Sequence, residues 1–159
     1  VIPTAPATAK PVFATDADAL AAAEKAYVAY LAVSDAVSSD GGRNATRLKP
    51  VVSAKWFPNE LAAYAKFAKT GDSFVGASGY DAFNLQKNSV SVGGYADVDV
   101  YVCADVSKTR ELDTHGVDIT PNARSNTYAI VAEFVGKHPQ SDVLLFAGSQ
   151  PWSGKSFCS

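Results

Sequence analysis

An α+β domain, with N-terminal helices packed on one face of a twisted antiparallel sheet, is the fold class this sequence predicts. Three observations predict it. Apolar residues recur every three or four positions up to Gly71, they recur every second position beyond it, and the two patterns never alternate along the chain. With 159 residues and 47% hydrophobic side chains, including eight Phe, seven Tyr and two Trp, the chain can fill a core without metal support. The reading is a flexible leader over residues 1–14 and one α+β domain over 15–159.

The leader, Val1 to Ala14, is rich in Pro, Ala and Thr and has no periodicity, which suits an extended tether. It opens on Val1 in a chain with no Met, so an initiator or a longer preceding segment is expected to have been removed. Thr15 followed by Asp18 reads as a variant of the capping box, starting a helix over 16–39. Leu20, Ala23, Tyr27, Tyr30, Leu31 and Val37 form its apolar stripe, with Glu24, Lys25 and Asp35 off it. Gly41-Gly42 ends it. From 44 to 55, Asn44 can cap a turn, but Pro50 limits the stretch to two broken turns. Pro58 suits the first turn of a further helix over 58–70, its packed side read as Leu61, Tyr64, Ala65 and Ala68. Lys66 and Lys69 complement its dipole and Gly71 closes it.

Past Gly71 the period becomes 2. A strand or bulged pair is expected in 73–87, interrupted by Gly76 and Gly79. Val90, Val92, Ala96, Val98, Val100, Val102 and Ala104 form an inward face, with Tyr95, Asp97, Asp99, Tyr101, Cys103 and Asp105 outward. Residues 106–126 would make an implausibly long loop, so a small hairpin turning at Thr114 to Gly116 is expected there. Tyr128 to Val135 and Val143 to Gln150 are two more strands, close enough in sequence to pair antiparallel.

Fourteen Lys and Arg against sixteen Asp and Glu give a formal charge of −2, which excludes a binder driven by phosphate neutralisation, so no nucleic acid is expected as partner. The longest apolar run, Val143 to Ala147, is strand-sized, so no transmembrane segment is expected. Cys103 and Cys158 belong to no metal-spaced cluster. They read as a disulfide, which implies an oxidising compartment; two unrelated thiols are the other reading. The stretch Gly148 to Ser156 misses the phosphate-loop spacing by one residue, and Gly76-Ala77-Ser78-Gly79 lacks the second spacing of a nucleophile elbow. Asp113, His115 and Asp118 suit either a solvated turn or an acid/base or metal group. Asp97 and Asp99, about 7 Å apart on one strand face, suit either a wet outer face or a shared cation. No metal site or cofactor is expected.

Helices before strands, together with the helix around Ala26-Tyr27-Val28-Ala29-Tyr30, the strand Val98 to Cys103, the turn Leu112 to Asp118 and the tail Trp152 to Cys158, carry a resemblance. The chain resembles the cone-shaped nuclear-transport-factor-2-like superfamily, with its SnoaL-like and ketosteroid-isomerase-like members. More closely, with its Ala/Pro/Thr leader and over most of residues 15–158, the chain is similar to the secreted proteins and lipoproteins of high-GC Gram-positive bacteria with this fold. The resemblance implies a cone whose interior pocket the aromatics Tyr27, Tyr30, Trp56, Tyr64 and Tyr128 would line, although the same residues also suit plain core packing. It implies a small apolar ligand or a cell-envelope protein as partner, and a homodimer through the sheet. The function expected is that of an exported, non-catalytic binding or interaction domain held near the cell surface, secreted or lipid-anchored. The alternative is a small proton-transfer enzyme of isomerase or dehydratase type, in which Asp97 or Asp99 would face the pocket.

Overall fold

Thr15 is extended and its Oγ1 accepts a 3.1 Å hydrogen bond from the Asp18 amide, and from that cap helix α1 (Asp16–Ser39) runs as the spacing predicts. The computed structural model describes residues 9–158; Val1 to Thr8, most of the expected leader, lie outside the described residues. Val12 and Phe13, placed in that leader by sequence, pack against the core, because an aromatic ring beside α1 has apolar surface to bury. A Schellman motif ends α1, with Gly42 N donating to Val37 O at 2.9 Å and Gly41 N to Ser38 O at 3.0 Å.

A 3-10 turn (Ala45–Leu48) leads to helix α2 (Phe57–Ala68). Its packed side differs from the one the sequence predicts: Ala65 and Ala68 are exposed, whereas Glu60 is buried and Phe57, Leu61 and Tyr64 meet the core. Strands β1 (Ser73–Val75), β2 (Gly79–Val90), β3 (Ala96–Asp105), β4 (Arg110–Leu112), β5 (Thr127–Gly136) and β6 (Leu144–Pro151) follow. They form a four-stranded antiparallel sheet in the order β2-β3-β5-β6 and a separate two-stranded ladder, β1-β4. Residues 106–126 do contain a turn at Thr114 to Gly116, with Gly116 N donating to Asp113 O at 3.0 Å and Leu112 bridging Asp118.

The alternation on β3 decides how the layers meet. Ala96, Val98, Val100 and Val102 are fully buried, facing α1 through Ala19, Ala23, Ala26 and Tyr27. Val92, expected on this inward face, is instead fully exposed in the turn between β2 and β3.

The cone is not formed. The structure is an α+β fold with two α-helices and antiparallel pairing, but the four-stranded sheet is open, its edge strands β2 and β6 unpaired to each other. Small side chains on both layers let α1 seat directly on the sheet, and aromatic rings fill much of the volume a curled sheet would enclose. Tyr27 sits within 5.6–6.4 Å of Tyr80, Phe83, Phe134 and Phe146, and Tyr30 stacks on Phe146 at 3.9 Å. The β6 edge is covered at one point, where Ser53 N donates to Phe146 O and Phe146 N to Val51 O.

Cys103 and Cys158 are joined by a disulfide, their Cα atoms 5.3 Å apart. The bond holds the tail on the outer sheet face, with Trp152 and Phe157 edge-on to Tyr101 at 5.0 and 5.5 Å. That cover explains why Cys103, on the wetter face by alternation, is buried.

Candidate functional site

The inward face of β5 runs from Phe134 and Ala132, both buried, out to Ile130 and the exposed Tyr128. Opposite it, α1 presents Tyr27, Tyr30, Leu31, Ser34, Asp35 and Ser38, consecutive steps of one helical face. Toward the ends of these elements the layers part, and two adjoining cavities open. The inner one, about 200 Å³, is walled by Tyr27, Tyr30, Leu31, Ile130 and Phe146. The outer one, about 280 Å³, holds Asp35, Ser38, Thr109, Arg124 and Tyr128 in its wall. Ser34, Ser78 and Val106 line both, so the two cavities are neighbours, the first walled mainly by apolar side chains and the second by polar ones.

Local chemistry positions the outer cavity. Gly76 has a φ of +97°, and a Cβ there would run into the Lys108 carbonyl, so only glycine lets the β1–β2 loop approach the β3–β4 loop this closely. Asp35 fastens the same loop to α1: its Oδ2 accepts from Ser78 N at 2.9 Å and its Oδ1 from Ser78 Oγ at 2.7 Å.

Of the five aromatics predicted to line a pocket, Tyr27 and Tyr30 wall the inner cavity and Tyr128 the outer one. Tyr64 lies behind the wall, its hydroxyl 2.8 Å from Ser34 Oγ. Trp56 is elsewhere, donating from Nε1 to Glu60 Oε1 at 2.9 Å with its ring against Gly148. Burial pushes Tyr27 up to about 12 and raises Tyr30 further, the latter also through the nearby Glu60 charge. Both are protonated near neutrality and are not bases, and the Tyr30 hydroxyl already donates to Glu60 Oε1 at 3.2 Å.

Asp97 and Asp99 face away from both cavities. Lys87 Nζ sits 2.9 Å from Asp97 and 3.0 Å from Asp99, so the pair on the outer sheet face is bridged by an ammonium. Asp105, on the rim of the inner cavity, is held below the usual carboxylate range by hydrogen bonds from Ser107. A proton-transfer base needs the opposite shift. Asp113 accepts from the amides of His115 and Val117 at 2.8 and 2.9 Å, which is turn chemistry. Among the described residues no group of three His, Cys, Asp or Glu could hold a metal ion, and no helix is long and apolar enough to cross a membrane.

Asp35 and Arg124 escaped the sequence reading. Asp35 had a signal, since it follows Leu31 by four residues and so borders the buried face. Arg124 had none, because residues 106–126 carry no period from which its direction could be read. A larger cavity, about 660 Å³, also went unforeseen. It lies on the other flank of α1, among Phe13, Ala22, Ala26, Val51 and Leu144, away from all five predicted aromatics.

No family model matches this chain, and no curated protein matches it either. Among solved structures, the crystal structure of the intermembrane space region of chloroplast protein ARC6 is similar to it, with a TM-score of 0.58 at 12% identity, covering 85% of this chain and 97% of that one. Identity that low speaks to fold alone.

Proposed function

We propose that residues 15–159 form an exported, non-catalytic binding domain that takes a small, largely apolar ligand between α1 and the inner sheet face. The observation that carries this reading is the pair of adjoining cavities, read here as one cleft: an apolar end at Tyr27, Tyr30, Ile130 and Phe146 and a polar mouth, with Ser34 and Ser78 in the walls of both. Such a site orients one end of a ligand by hydrogen bonds and buries the other. Two small cavities suit a ligand of a few ring or chain carbons. The joined Cys103 and Cys158 support an extracytoplasmic location, since such bonds persist in oxidising compartments. A leader tethering the domain near the cell surface belongs to the same proposal.

Titration with indole, followed through backbone amide shifts in NMR, tests the site. Shifts concentrated at Leu31, Ile130 and Phe146 are the expected result. Shifts confined to Ala22, Ala26 and Leu144, which line the larger cavity, or no shifts at all, overturn it. Export is tested on natively produced protein: no thiol should react with an alkylating reagent until reductant is added.

A further inference from the structure

We propose that the ligand of this cleft is an apolar carboxylic acid in its anionic form, lying with its hydrocarbon end toward Tyr30 and Phe146 and its carboxylate at Arg124. The inference rests on the cleft reading above and adds the chemical class of the ligand and its direction.

Arg124 closes a turn, its amide donating to Pro121 O at 3.1 Å, and sends its guanidinium across to the β3–β4 loop. There Nη2 donates to Val106 O at 2.9 Å and to Thr109 O at 3.1 Å, and Nη1 to Thr109 Oγ1 at 3.2 Å. All three acceptors are neutral. Nε is buried and has no hydrogen-bond partner, and among the described residues no carboxylate lies within 4 Å of this guanidinium. An arginine keeps its charge at any ordinary pH. Asp118 acts on this charge from beyond 4 Å but is itself paired with Arg110 at 3.7 Å. A partly buried cation whose direct contacts are all neutral dipoles, with one donor idle, retains a demand for an anion. The 280 Å³ cavity beside it is where one can enter.

Orientation follows from Asp35, the other charge on the outer cavity. Its two oxygens are each engaged by Ser78, and as a like charge it repels an anion from the α1 side of the mouth. The carboxylate therefore belongs at the Arg124 side, where the Tyr128 ring stands in the same wall. Because the inner cavity shares Ser34, Ser78 and Val106 with the outer one, a single short chain or ring can span both.

Three probes that differ only at the head group test this on the whole protein: 3-phenylpropanoate, 3-phenylpropan-1-ol and 3-phenylpropan-1-amine, titrated with amide shifts as readout. The expected result is that the carboxylate binds about tenfold or more tightly than the alcohol, as a charge-assisted hydrogen bond would give, with the amine weakest. Arg124→Gln should bring carboxylate and alcohol to the same affinity, and retained alcohol binding shows that the cleft of the variant is intact. Tightest binding by the amine overturns the proposal in favour of Asp35 as the head-group partner. Equal binding of carboxylate and alcohol by the unaltered protein overturns it while leaving the apolar cleft standing. If no probe shifts the cleft amides, the binding-domain reading fails and this proposal fails with it.

Discussion

Phe134 shows what one side chain contributes here. Its ring is buried, perpendicular to Tyr27 at 6.2 Å and close to Phe83 and Phe146 at 6.4 and 6.0 Å. Truncation leaves a void that neighbouring rings, each held by others, cannot collapse into. Phe134→Ala should therefore lose about 3–5 kcal/mol, read from the shift in urea midpoint at unchanged slope. A second effect belongs to single residues and to pH. Tyr27 is pushed up to about 12, by burial first and then by Tyr80 and Asp35; Tyr80 is raised to about 12 as well, by desolvation and its 2.8 Å hydrogen bond to Glu24. In the unfolded chain both titrate near 10, so between those values the folded state holds protons that the unfolded state has released. The stability these groups confer is complete below pH of about 10 and is lost as pH climbs toward about 12. Denaturation midpoints at pH 8, 10 and 11 should fall across the last interval, and Tyr27→Phe should flatten the fall. A level profile would mean that Tyr27 is better solvated than its position between α1 and the sheet implies.

At the scale of elements, local signals explain what was legible. Thr15 and Asp18 mark the start of α1 within the reach of one turn, and Gly41 and Gly42 mark its end by supplying positive φ, so its bounds can be read from four residues. Thr15→Ala removes the oxygen that accepts from Asp18 N and should cost about 1 kcal/mol, seen as a lower melting temperature with unchanged fold. Gly42→Ala tests the other end. With φ at +79° and a Cβ 2.7 Å from the Tyr64 carbonyl, the substitution strains both the turn and its contact with α2 and should cost about 1–3 kcal/mol. Less was legible in α2, because its alanines satisfy a helical stripe on either side. Only contact with the core reveals that Glu60, hydrogen-bonded by Trp56 and Tyr30, lies inward while Ala65 and Ala68 do not. Val92 misled for a related reason, since it continues the alternation of β3 across Gly93-Gly94, where the chain turns.

For the whole molecule, the period-2 pattern shows which face of a strand is buried but carries nothing about how far a sheet curls. That depends on how closely α1 approaches β3, a property of Ala19, Ala23 and Ala26 against Val98 and Val100 that no single segment displays. The cleft was half legible in consequence: Tyr27 and Tyr30 lie on a periodic helix, whereas Arg124 reaches it only through the folded path of a loop. The tail makes the last test. Cys158 returns to Cys103 across 55 positions, laying Trp152 and Phe157 over Tyr101 on the face whose other side packs against α1. Chain entropy assigns such a closure about 4 kcal/mol, so reduction should lower the urea midpoint accordingly without unfolding the four-stranded sheet, whose strand register ends at Pro151 and which the tail beyond it joins through the hydrogen bond from Trp152 N to Ala129 O. Reduction should also free the tail rings, uncovering Tyr101 and the neighbouring Val131 as apolar surface on a face otherwise marked by the Lys87, Asp97 and Asp99 charges. Oxidised protein is accordingly expected to scatter light as a monomer at concentrations where the reduced form associates. An oxidised dimer would instead mean that the outer face pairs with the tail in place, and the Lys87 group would then be the first place to look for ion pairs between copies.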